Sequence, residues 1–255
     1  MSKYYIVSTL FLVIFILSLI VDGAFDVPRY WFVGLVVLYL LISALGSVIL
    51  SLEYFVPVIS RGNSEGVALS FDDGPVEGKT EKVLDILQRF NAPATFFCIG
   101  KRVVENGQLA KRIHEEGHLI GNHSFFHRPT FDLQSSSMIT KELYDTDVAI
   151  QKIVGKRPRF FRPPYGVTNP MVAKAVRLRN YKVVGWSIRS FDTVIKDPRK
   201  LLARVTDPLK AGDIILFHDY CDVTLEILPQ VLEYIAKSGL KVVRIDQLTD
   251  EKPYA

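Results

Sequence analysis

The sequence predicts an α/β domain, a barrel of about seven parallel strands, preceded by a transmembrane helical hairpin. Three observations predict it. Residues 1–60 hold two long apolar stretches and only five charged side chains, Lys3, Asp22, Asp26, Arg29 and Glu53. From residue 66 onward, short apolar runs of strand type alternate with stretches of helical period, the pattern of a parallel sheet. Four of those runs end at ionisable side chains, and the carboxyl ends of parallel strands are where such folds bind ligands.

The first apolar stretch, residues 4–21, is interrupted only by the hydroxyl side chains of Ser8, Thr9 and Ser18. As a helix it extends roughly 27 Å, close to the ~30 Å thickness of the hydrocarbon layer. A cleaved signal peptide is the alternative. Against it stand a single lysine before the run, the length of the run, and the lack of an A-x-A-like site near Val21-Asp22-Gly23-Ala24. The second stretch, residues 30–52, carries no charge and opens on Tyr30 and Trp31, where interfacial aromatics belong. Residues 1–60 therefore read as two transmembrane helices (4–21 and 30–52) plus a linker, whose character runs on from 53 to 66, and residues 61–255 as the soluble domain. A hairpin places the N-terminus and the domain on the same side of the membrane. Lys3 and Arg61 on one side against Arg29 on the other give too small a bias to assign the face.

Beyond residue 60 the chain carries 29 basic and 24 acidic residues with no run of Lys or Arg, which argues against a nucleic-acid partner. No protein partner is indicated. The cysteines, Cys98 and Cys221, form no C-x-x-C and imply no disulfide framework; Cys98 lies in an apolar run and reads as a buried thiol.

Strand-type runs fall at 67–71, 94–99, 118–122, 159–161, 182–187, 213–217 and 241–245. Helical patterns fall between them at 81–90, 105–116, 138–154, 170–180, 199–209 and 225–237. Val83, Leu84, Ile86, Leu87 and Phe90 give the first of these its apolar stripe.

The first run ends on Asp72-Asp73-Gly74-Pro75, so the chain turns where two carboxylates sit together. Adjacent carboxylates resist burial unless a cation or proton lies between them. His123 and His127, after the third run, would face one point if the segment formed a helical turn, and with Asp73 they complete a two-histidine, one-carboxylate set with positions left for water and substrate. Arg162 stands at the next corner, fixed by Pro163 and Pro164. The run at 213–217 delivers His218 to a fourth corner.

In these residues the chain resembles the polysaccharide deacetylases of the NodB-homology type, carbohydrate esterase family 4, over about residues 66–247. Ser70 to Gly74 is similar to the first motif of that family, His123 to His127 to the second, Arg162 to Tyr165 to the third and Ile214 to His218 to the fifth. The resemblance implies a distorted (β/α) barrel that hydrolyses the acetamido group of an N-acetylhexosamine, in a cell-wall or surface polysaccharide such as peptidoglycan or in a lipid-linked sugar at a bacterial cytoplasmic membrane. It implies Asp72 as general base, with Arg162 paired to it. Asp73, His123 and His127 would hold a divalent metal, zinc first, with cobalt, nickel or manganese also suited to the donor set. The backbone N–H of Tyr165 would serve the oxyanion, and His218, paired with Asp192, would be the general acid. The fourth motif departs from the family: Arg189 replaces an aspartate and Thr193 a tryptophan, which bears on the substrate. The competing class is a catalytically impaired sugar-binding or assembly module with the same fold. Such a module is expected to lack the base or a ligand, whereas Asp72, Asp73, His123, His127 and His218 are all present.

Overall fold

A computed structural model describes residues 2–255. Two apolar helices, α1 (Lys3–Phe25) and α2 (Arg29–Val48), open the chain. No residue of α1 is buried and both helices are long enough to cross a membrane. Leaving their leucines and isoleucines in water would cost on the order of 1–2 kcal/mol each, so these faces need an apolar partner.

The domain alternates strand and helix as expected. Its strands are β1 (Val58–Ile59), β2 (Gly66–Asp72), β3 (Ala94–Cys98), β4 (Leu119–Asn122), β5 (Phe160–Phe161), β6 (Lys182–Val184), β7 (Ile188–Arg189), β8 (Ile214–His218) and β9 (Lys241–Val242). Its helices are α3 (Thr80–Arg89), α4 (Gly100–Glu105), α5 (Gly107–Glu115), α6 (Ser136–Val154), α7 (Pro170–Arg179), α8 (Pro198–Thr206), α9 (Asp222–Lys237) and α10 (Ile245–Thr249). All pairings within the sheet are parallel, in the order β1-β6-β5-β4-β3-β2-β8-β7, with β9 added against the start of β2. Nine strands stand where seven were expected, because two-residue strands such as β1 and β7 are too short to leave a period in the sequence.

The sheet curls into an incomplete barrel. β6 and β7 are separated by three residues, yet β6 joins β5 and β1 whereas β7 joins β8 at the far end of the sheet. Residues 185–187 therefore cross the seam: the Gly185 N–H donates to Ile59 O (2.9 Å) and that of Ser187 to Ile214 O (3.0 Å). At this seam the Arg162 guanidinium donates to Val184 O (3.2 Å) and Gly185 O (2.7 Å). A side chain thus satisfies carbonyls that a strand neighbour would otherwise take.

Three cores hold this arrangement. Val83, Leu84 and Leu87 of α3 pack with Phe71, Phe96 and Phe217 under the helical layer. Phe90, expected in that stripe, caps the helix and is exposed. Ala68, Phe97, Phe160, Ile214 and Ile245 fill the barrel. Ile245 was expected to end a strand; instead it begins α10, whose Ile245 and Leu248 pack into this core. The helix expected at 105–116 begins earlier and breaks at Asn106, whose amide donates to Pro75 O and Arg102 O. The third core joins the hairpin root to α6 and α7 through Tyr54, Phe55, Ile139, Val172 and Val176. The stretch 53–66 is thus no loose linker, because its aromatic residues are buried.

Candidate metal and catalytic site

Each corner singled out in the sequence lies at the carboxyl end of its strand. β2 lies between β3 and β8, with Asp72 in register with Phe97 on one side and His218 on the other. Asp73 leaves the strand in the left-handed region (φ 75°), as do Ser124 (63°), His127 (52°), Tyr165 (58°) and Phe191 (61°). Bulky side chains rarely adopt such φ values, and strain of this kind gathers at functional sites.

His123 and His127 were expected to converge through a helical turn. They converge without one: the segment after β4 is irregular, and the left-handed Ser124 and His127 fold it back. Buried Asn122 directs this loop, accepting from the Ser124 N–H (2.9 Å) and donating to Leu143 O and Asp147 Oδ1. Asp73 Oδ1 lies 3.5 Å from His123 Nε2 and 3.3 Å from His127 Nε2. Ligand atoms of these three residues all fall within 4.8 Å of one another.

The donor chemistry of this trio fits a divalent cation. Asp73 Oδ1 is buried and has no hydrogen-bond partner among the described residues. Burial would raise the Asp73 pKa, but the imidazoles of His123, His127 and, farther off, His218 hold it below the ordinary carboxylate range. Burial and the neighbouring His123 push His127 down to about 4, so its ring is neutral and offers a lone pair at pH 7. The His123 Nδ1 contact with Arg162 O (2.7 Å) leaves Nε2 turned toward Asp73.

Beside the trio sits the Asp72–Arg162 pair. Arg162 Nη1 donates to Asp72 Oδ1 (2.7 Å) and to Ser70 Oγ (2.9 Å), and Arg162 is fully buried. Its guanidinium lies 4.1 Å from the ring centroid of Phe97. On the other side, Asp192 grips His218 twice, accepting from its backbone N–H (2.7 Å) and pairing with its Nδ1 (2.7 Å). Burial alone would lower the His218 pKa, but the hydrogen bond and charge of Asp192 outweigh it and raise it. Tyr165 lays its ring 4.8 Å from that of His127.

Sequence reasoning missed several supporting residues. Thr224 Oγ1 donates to Asp192 Oδ2 (2.7 Å), and Arg102 Nη1 donates to Asp73 O (2.7 Å). Buried Asp219 accepts from Thr80 Oγ1 (2.6 Å) behind Gly74, where a Cβ would come within 1.9 Å of the carboxylate. The direct adjacency of Asp219 to His218 was a readable signal; Thr224 and Arg102 left none. Arg189 is exposed, stacked 4.8 Å from Phe191 and 5.4 Å from Trp186, and among the described residues it forms no ion pair with Asp192. Thr193 is exposed and supplies no aromatic surface.

A cleft of about 450 Å³ opens beside Asp73 and His127, lined also by Arg102, Phe126 and Tyr220. The larger cleft, about 870 Å³, lies at the hairpin root between Phe55, Arg177 and Tyr181, away from these groups.

The sequence profile of the polysaccharide deacetylase family matches residues 60–184. The peptidoglycan-N-acetylglucosamine deacetylase PgdA of Listeria monocytogenes is 36% identical over 202 residues, which cover 77% of this chain and 42% of PgdA. The chain thus spans less than half the length of that relative. Among solved structures, the Bc1960 peptidoglycan N-acetylglucosamine deacetylase superposes with a TM-score of 0.74 at 27% identity, covering 78% of this chain and 95% of that one. BA3943 of Bacillus anthracis, a pseudoenzyme of carbohydrate esterase family 4, superposes with a TM-score of 0.69 at 31% identity, covering 77% and 70%.

Proposed function

The chain belongs to the polysaccharide deacetylase family, and from that premise we propose that it is a metal-dependent N-deacetylase of N-acetylhexosamines. Its substrate is a peptidoglycan-type polysaccharide or a lipid-linked sugar, and the products are acetate and a free amine. The observation that carries the reading is the gathering of the Asp73–His123–His127 trio, the Asp72–Arg162 pair and the Asp192–His218 pair at one rim. A binding module descended from an enzyme has no need to keep all three. We also read α1 and α2 as a hairpin integral to a bacterial cytoplasmic membrane, since no side chain of α1 is buried within the protein.

Asp73, His123 and His127 would hold the ion, zinc first, with cobalt, nickel or manganese suited to the same donors. When bound, a divalent ion supplies Lewis acidity, polarising the amide carbonyl and acidifying water. Asp72 accepts the proton of the attacking water, oriented by Arg162 Nη1. The backbone N–H of Tyr165 serves the oxyanion. His218, with Nδ1 engaged by Asp192, donates from Nε2 to the departing amine.

The test is acetate release from an N-acetylglucosamine oligosaccharide. Asp72→Asn should lower kcat/KM by about 10²–10⁴, the usual contribution of a general base, while the bound ion is retained. A native chain that binds the glycan but releases no acetate would instead be the sugar-binding module.

The Asp192–His218 pair predicts a pH effect of definite sign. Asp192 raises the His218 pKa, so the imidazolium persists to higher pH than in a free histidine. In Asp192→Asn that support is lost, and the basic limb of the kcat/KM profile should move to lower pH. A basic limb that stays in place would remove His218 from the acid role.

A further inference from the structure

The hairpin is seated directly on the loop that carries Arg162 and Tyr165. Ser47, in the last turn of α2, donates from its hydroxyl to Thr168 O (2.5 Å), and the Thr168 N–H donates back to Ser47 O (3.0 Å). Thr168 is 2% exposed and Ser47 half-buried, so this two-way clasp is largely shielded from solvent. Tyr54 packs so closely on Gly46 that a Cβ there would come within 2.4 Å of its ring. The start of α1 is fixed to the same root, the Tyr4 N–H donating to Tyr54 O (2.9 Å) and Lys3 Nζ to Leu52 O (2.8 Å). Both helices therefore end on the domain at one fixed place.

That place adjoins the catalytic rim. Tyr165 precedes Thr168 by three residues, at most about 10 Å of extended chain. Its ring lies against His127. Leu133 is 79% exposed and Met171 44% exposed at the same junction, which is tied together by the Asn169 amide donating to Asp132 O (2.5 Å). A headgroup layer accepts such side chains more readily than water does.

We propose that the substrate is an N-acetylhexosamine carried on a membrane lipid and presented at the height of the headgroups. This rests on the deacetylase and membrane-hairpin readings above. A domain clasped at Thr168 cannot swing outward on a tether, so its rim works within a headgroup's distance of the bilayer. A sugar anchored in the same bilayer is held at high effective concentration there, whereas a sugar in a mature polymer farther out is beyond reach. The assignment holds whichever membrane face carries the domain.

The test uses the full chain in liposomes with two probes, a polyprenyl-diphosphate-linked N-acetylglucosamine saccharide in the same bilayer and the same saccharide free in solution. At equal bulk concentration the lipid-borne saccharide should release acetate at least about tenfold faster, through effective concentration alone. A rigid helical spacer of about 20 residues between Val48 and Ile49 would lift the domain by about 30 Å. It should remove that advantage and leave turnover of the free saccharide unchanged. Equal rates on the two probes with the native chain would overturn the proposal, as would a spacer variant that keeps the full advantage. If the spacer variant also fails on the free saccharide it has lost its fold, and the ratio measured with the native chain decides. A native chain that binds its ion but releases acetate from neither probe overturns the deacetylase reading, and this inference with it.

Discussion

Replacing His123 and His127 together by alanine should give a folded protein that retains no stoichiometric divalent ion and releases no measurable acetate. Both rings point Nε2 at the one buried, unpartnered oxygen of Asp73, so their removal leaves a single carboxylate to hold the ion. The loop itself should survive, because Asn122 and Ser124 hold its backbone through contacts that neither imidazole makes. Metal analysis of the purified variant, with circular dichroism as the control for folding, decides the matter. Full occupancy in the double variant would place the ion elsewhere and end the assignment of this trio.

Arg162→Met should cause the largest loss of stability of any single change at the rim. The guanidinium serves Asp72, Ser70 Oγ, Val184 O and Gly185 O at once. Methionine approximates its length but leaves a buried carboxylate unpaired and two seam carbonyls without a donor. Breaking a buried ion pair from one side typically costs about 3–5 kcal/mol. For a domain of this size that corresponds to a fall in Tm on the order of 10 °C, readable by thermal denaturation. Adding Asp72→Asn should recover part of the loss, because the unpaired charge is then gone. A single variant that melts within a degree or two of the native chain would show that Arg162 does not hold the seam closed.

The rim residues were readable because their signals are local. Asp72-Asp73 stands before Gly74-Pro75, Arg162 before two prolines, and His218 at the end of an apolar run; each shows in a few consecutive residues where a strand stops. Helix boundaries were less readable near the site. α4 begins at Gly100, where a Cβ would meet Phe125 and Thr146, so contact with a distant element sets its start. The strand expected to run to Ile245 stops at Val242 for a related reason, since Ile245 is drawn into the barrel core beside Ala68 and Phe160.

By itself the sequence determined the parallel α/β domain, the two apolar helices before it, and the residues that stand at each corner. These follow from period, from Gly and Pro punctuation and from side-chain chemistry, all of which act over short spans of chain. Tertiary structure alone decided how those corners meet. The left-handed turns at Ser124 and His127 replaced the expected helical turn, and Arg162 reached across 90 positions to Asp72. Thr224 came to Asp192 from 32 positions away, and Ser47 met Thr168 across 121. A hydrogen bond requires its partners within about 3 Å, and for residues so far apart in sequence only the closed fold sets that distance.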